Sequence, residues 1–192
     1  MTVRDDVRSY LFNCNMMDKR VTFDEARTII EKIAENSNFR SRSSVEINIL
    51  FDQILGSVDY HGFLIKEVKV QNSEKAKYLS HDTGESALML TYYNANYRVV
   101  NLWNMVDIIG PFSFMDNADL KFIKSEARII EKYAFTNCKS LKTVSFPGVE
   151  YIDYGAFSCC QSMNKAILGN VKHFGRNCFY RCENLIVDNE IN

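Results

Sequence analysis

The stretch Val106-Asp107-Ile108-Ile109 returns as Ala127-Arg128-Ile129-Ile130, as Val149-Glu150-Tyr151-Ile152 and as Val171-Lys172-His173-Phe174. Everything downstream of these four segments keeps step with them. Five residues beyond each last apolar position stands Phe114, Phe135, Phe157 or Phe179, and a small residue precedes it: Ser113, Ala134, Ala156 or Cys178. Three residues later come Asn117, Cys138, Cys160 and Cys182, and three beyond those Leu120, Leu141, Met163 and Leu185. The period is 21, 22 and 22 residues. A unit this short cannot bury its own apolar side chains, so successive copies must stack and share one core. A fainter copy fits one period earlier, with Leu88, Tyr93, Asn96, Val99 and Leu102 in the same columns. The second half of the chain therefore reads as a short solenoid of four coils plus one degenerate coil.

Each copy carries a strand signal. Leu141-Lys-Thr-Val144-Ser-Phe146 follows the Leu-x-x-Leu-x-Leu pattern of leucine-rich repeats, and Met163-Asn-Lys-Ala166-Ile-Leu168 and Leu120-Lys-Phe-Ile123 approximate it. The run from Glu131 to Val149, with Ala134-Phe135, then Cys138, Leu141 and Pro147, resembles the BspA-type leucine-rich repeat. The resemblance covers about residues 85–188. It implies a repeat solenoid but no particular activity, since that family serves surface adhesins, protist proteins and intracellular binding proteins alike. The chain departs from the pattern in three places. Pro147 has no counterpart in the other coils, Asp188 and Glu190 stand where apolar strand residues belong, and residues 1–84 resemble no family.

Residues 1–84 read as a mixed, mainly helical unit. Thr2 with Asp5 can cap a segment whose Val3, Val7, Tyr10 and Leu11 share one helical face. Thr22 with Glu25 forms a capping box ahead of Ala26, Ile29, Ile30 and Ile33, and Ser43 with Glu46 repeats it ahead of Ile47, Leu50, Phe51, Ile54 and Leu55. Gly56 supplies a stop. Phe63 to Val70 reads as a strand, Gln71 to Lys77 as a loop or short helix, and the turn at Asp82, Thr83 and Gly84 as a boundary. The expected architecture is α+β: a helical unit over residues 1–84 that caps a leucine-rich-repeat solenoid over 85–192.

The composition excludes several classes. Of 192 residues, 46% are apolar and 24% charged, which suits a globular chain with a real core and rules out disorder. Lys and Arg number 23 against 24 Asp and Glu, so no global field recruits nucleic acid or an anionic membrane. Acids within the first eight residues and no apolar run there leave no signal peptide, so the expected location is cytoplasmic.

Catalytic motifs are missing. There is no phosphate loop, no Gly-x-Ser-x-Gly elbow and no His-Glu-x-x-His, and His61, His81 and His173 lie far apart in the chain. Cys138, Cys160 and Cys182 invite a metal reading, but only Cys178-x-x-x-Cys182 approaches ligand spacing. Their shared column predicts a buried ladder of free thiols. The expectation is a chain with no enzymatic activity, no metal and no cofactor.

The repeat leaves the outward strand positions free, and neighbouring strands lie about 4.8 Å apart. They are Asn101 and Trp103, Phe122 and Lys124, Thr143 and Ser145, Lys165 and Ile167. Lys121 and Lys142 add charge, and residues 121–192 hold ten Lys and Arg against seven Asp and Glu. Aromatics beside cations are the chemistry of a protein-binding hot spot. The expected function is recognition of an intracellular protein partner through Asn101, Trp103, Phe122, Lys124, Lys142, Lys165 and Ile167. One alternative is an inhibitor or effector of phage or pathogen type that blocks a host enzyme such as a defence nuclease. Another is weak nucleic-acid binding through the lysines and the Phe39 to Ser43 stretch with Arg40 and Arg42. The terminal coil is a candidate edge for self-association.

Overall fold

The computed structural model describes residues 3–35, 43–70, 74–79 and 86–189. Three helices come first: α1 (Val3–Met16), α2 (Phe23–Glu35) and α3 (Ser44–Ile54). Both capping boxes form. Thr22 N–H donates to Glu25 Oε2 at 2.8 Å and Glu25 N–H to Thr22 Oγ1 at 3.4 Å. Ser43 N–H donates to Glu46 Oε2 at 3.0 Å and Glu46 N–H to Ser43 Oγ at 3.3 Å. Past α3 the chain turns at Gly56, whose φ of +76° suits a residue without Cβ. Thr2, Arg40, Arg42, His81, the turn at 82–84 and Glu190 lie outside the described residues.

Twelve described strands then make two sheets. β1 (Val58–Tyr60), β2 (Phe63–Lys69) and β3 (Ser86–Tyr93) run antiparallel, and β4 (Val99–Trp103) begins the alternation of the solenoid. Two-residue strands β5 (Ile108–Ile109), β7 (Ile129–Ile130), β9 (Tyr151–Ile152) and β11 (His173–Phe174) alternate with four-residue strands. These are β6 (Phe122–Ser125), β8 (Thr143–Phe146), β10 (Lys165–Leu168) and β12 (Ile186–Asn189). One sheet has the order β1-β2-β3-β5-β7-β9-β11, the other β12-β10-β8-β6-β4. From β3 onward every neighbour is parallel, as a coil that always turns the same way requires. The solenoid thus has five turns of two strands each, behind three helices.

Between the sheets the columns read from the repeat become ladders. The rings of Tyr93, Phe114, Phe135, Phe157 and Phe179 stack with successive centroids 4.9, 4.8, 4.9 and 5.3 Å apart. Beside them Cys138, Cys160 and Cys182 each send Sγ to a carbonyl of the preceding coil, on Phe114, Phe135 and Phe157, at 3.0, 3.1 and 3.1 Å. The turn that carries each phenylalanine needs left-handed backbone twice. Phe112, Tyr133, Gly155 and Asn177 hold one such position and Asp116, Asn137, Cys159 and Arg181 the other, with φ from 57 to 62°. Cys159 therefore belongs to the turn, while its neighbour Cys160 belongs to the core.

The degenerate coil departs from the spacing. Tyr93 does occupy the phenylalanine column, but Leu90 rather than Leu88 pairs beside Ile109, and Val100 rather than Leu102 beside Ile123. Register irregularities at Leu64/Ile65 and Asn101/Trp103 accompany the offset. A two-residue shift leaves the alternation of a strand intact, so the inward and outward sets keep their faces.

The helices close the structure on two sides. Val7, Leu11 and Cys14 of α1 enter the main core with Leu88, Leu102 and Met105. Arg4 pins that helix through a two-pronged ion pair to Asp107, at 2.5 and 2.7 Å, and Asp107 is itself buried. Helices α2 and α3 pack Ala26, Leu50 and Ile54 against Leu64, Phe112 and Met115. The segment 74–79 lies as a strap over the two-residue strands, with Tyr78 and Leu79 against Ile108, Ile129 and Tyr151. Lys75 reaches equivalent positions of adjacent coils, Glu131 and Asp153, the latter at 2.8 Å. Among the described residues no helix is long and apolar enough to cross a membrane.

Candidate functional site

The outer face of the five-stranded sheet carries the candidate residues. Val100, Leu102, Ile123, Val144, Ala166 and Leu168 point inward and are buried, so their strand neighbours face out. Pairing sets these into two rows. The first runs Val99, Phe122, Thr143, Lys165, Ile186, and the second Asn101, Lys124, Ser145, Ile167, Asp188. Equal spacing in the sequence would set Asn101 beside Phe122. The offset of the first coil instead sets Asn101 beside Lys124 and Val99 beside Phe122.

Trp103 ends β4 past the register irregularity, with φ at 41° and its ring half exposed. Left-handed backbone is unfavourable for a bulky residue, and local bonds hold it here. The Trp103 N–H donates to Asn101 Oδ1 at 3.1 Å, and the Trp103 carbonyl accepts from Glu126 N–H at 2.9 Å. Lys124 Nζ lies 4.9 Å from the centre of the indole, within range of a cation–π contact. Phe122 and Ile167 are half-buried, and Val99 and Ile186 are the most exposed members of the first row.

The lysines differ in their surroundings. Lys165 pairs with Asp188 at 3.4 Å across the last two coils, and both side chains are well exposed. Lys121 and Lys142 precede β6 and β8 rather than lying in them, exposed at the rim where each strand begins. The structure thus brings Asn101, Trp103 and Lys124 into one constellation. Phe122, Lys165 and Ile167 lie along the same sheet, and Lys142 stands at its margin. Spacing alone missed Val99, Ile186 and Tyr97, all exposed and apolar or aromatic. Tyr97 is fixed by a bond from its N–H to Tyr93 Oη at 2.7 Å.

The cysteine column shows a packing chemistry. All six thiols are free. Contact with Cys138, together with burial, pushes the Cys160 thiol well above the usual range, and contact with Cys160 plus burial does the same to Cys182. Such thiols stay protonated at neutral pH, and the thiolate is the reactive form. Among the described residues no three or more His, Cys, Asp or Glu side chains come together as a metal site would require.

Residues 107–188 match the family described as the BspA type Leucine rich repeat region, in six copies. No curated protein and no solved structure matches the chain. Leucine-rich-repeat solenoids are typically protein-interaction modules without catalysis. The ladders of Phe and Cys, the parallel pairing and the matched span agree: residues 107–188 are a BspA-type leucine-rich-repeat region.

Proposed function

We propose that the chain is a non-catalytic recognition module that holds a protein partner on the outer face of the five-stranded sheet. The observation that carries this reading is Trp103, presented half exposed on strained backbone beneath Lys124. Strained backbone kept by specific bonds tends to mark function, and tryptophan is the residue most enriched among binding hot spots. A parallel sheet changes little on binding, so little ordering entropy opposes the contact. Asn101 positions the indole, and Phe122, Ile167, Lys165 and Lys142 extend the surface around it. The partner is taken to be intracellular.

The test is affinity capture from a native extract with the intact chain and with the double substitution Trp103→Ala and Lys124→Glu, both confirmed folded by circular dichroism. A partner held only by the intact chain supports the reading. Its addition to a purified enzyme target then separates a passive adaptor from an inhibitor. Equal capture by both chains removes the sheet face as the site.

A further inference from the structure

A second surface lies between α1 and the antiparallel strands. Strand β1 covers β2 only as far as Ile65, where Val58 pairs with it. Beyond that point the orientation of the β2 backbone follows from β3. The Leu88 and Leu90 carbonyls accept from Asp107 and Gly110 N–H on the β5 side, at 2.9 and 2.8 Å, and Leu88 N–H bonds the Asp107 carboxylate there. Ala87 and Met89 must then face β2, which assigns the inward pairs to Val68 and Lys66. The N–H and C=O groups of Glu67 and Lys69 point the other way. Among the described residues no strand lies beside them.

A cleft of about 630 Å³ opens along this edge. Its floor is apolar, with Leu11, Val58, Ile65 and Leu88. Its charges are unequal: Arg8, Arg20, Lys66 and Lys69 line it against one carboxylate, Glu67, which Ser86 Oγ already bonds. Lys66 Nζ is engaged by the Leu55 carbonyl at 2.9 Å, and Arg20 Nε by Asn15 Oδ1 at 2.8 Å. Arg8 Nε is buried and has no hydrogen-bond partner among the described residues, an arrangement that is costly unless a ligand supplies an acceptor. On the rim Phe12 is 64% exposed.

We propose that this cleft binds an extended acidic segment of a protein partner, added to β2 as a further strand. The main chain of such a segment pairs with Glu67 and Lys69. Its alternate side chains fall on the apolar floor, and its carboxylates meet Arg8, Arg20 and Lys69. A free strand edge, an excess of cations and an apolar floor together select a peptide over a simple anion. This site is independent of the sheet face assigned above.

The full chain is titrated with a fluorescein-labelled hexapeptide of alternating glutamate and valine, and amide exchange is followed. Saturable binding is expected, with new protection at the Glu67 and Lys69 amides. Backbone N-methylation of alternate peptide residues, or the exposed-site substitutions Arg20→Glu with Lys69→Glu, should weaken binding by about tenfold or more. Trp103→Ala should leave the affinity unchanged. Absence of saturable binding, equal affinity of the N-methylated peptide, or equal affinity of the charge-reversed chain overturns the proposal. Laurate displacing the peptide without protection of the two amides would also overturn it, assigning the cleft to a small amphipathic anion.

Discussion

The two sheets of the solenoid are built from the same coils, yet their outer faces differ. The seven-stranded sheet is covered as far as its last strand, β11: α2 and α3 lie over Leu64 and the turn residues Phe112 and Met115, and the strap seals Ile108 and Ile129. The five-stranded sheet has Val99, Trp103 and Ile186 open to solvent. Covering one face with apolar side chains and a half-buried lysine stabilises it and removes that face from recognition. A face with half-exposed aromatics on equally regular strands gains little stability from them. The comparison teaches that the outer faces of one repeat divide stability from recognition, while the β2 edge of the covered sheet stays open.

The largest effect should come from breaking what the sides share. Phe135 is fully buried and stacked between Phe114 and Phe157. Phe135→Ala should cost about 3–5 kcal/mol by denaturant unfolding, and both sheets should melt in one transition. A second, separate transition for the helices would show that the N-terminal unit folds on its own. Next in size is Arg4→Ala, which leaves the buried Asp107 carboxylate without its counter-ion. A loss of about 3 kcal/mol is expected, read as exposure of α1 in amide exchange before the coils open.

Much of the fold was legible because periodicity survives every local accident. One small unit repeated at 21 or 22 residues determines which side chains stack, and the Phe and Cys ladders follow it. Helix starts were legible from Thr22 with Glu25 and Ser43 with Glu46, since a capping box acts within four residues. The strap was not, because its anchors join Lys75 to Glu131 and Asp153, 56 and 78 residues away. The register of the first coil was also hidden. It is set by pairing with the antiparallel strands and by the irregularity at Asn101/Trp103, neither of which leaves a spacing signal. Alternation placed Trp103 and Lys124 on the outward face, and they meet there although the register pairs Lys124 with Asn101 and Trp103 with Ser125.

The covered face makes its own pH prediction. Burial disfavours the Lys75 ammonium, but Glu131 and Asp153 outweigh that and raise its pKa above the ordinary 10.5. A raised value means that its contribution is fully present below pH 10.5 and is lost as pH climbs through the folded value. At pH 7 Lys75→Gln should lower stability by about 1 kcal/mol, discounted for partial exposure. The gap to the parent chain should close in alkaline unfolding curves. A gap that stays constant through that range would mean that Tyr78 and Leu79, not the charges, hold the strap.

The smallest effect on stability, and the one that sharpens the contrast most, belongs to the open face. Lys124→Met removes a cation from a half-exposed indole while keeping an unbranched chain over it. The stability change should be below about 1 kcal/mol, the range of an exposed cation–π contact. Trp103 is the only tryptophan, so its emission reports this contact alone. Iodide, drawn to the ammonium, should quench the variant less than the parent, whereas neutral acrylamide should quench both to a similar extent. An unchanged iodide response would place Lys124 away from the indole in solution. A reduced response with unchanged stability would mean that Lys124 matters to what Trp103 meets, rather than to how the coil folds.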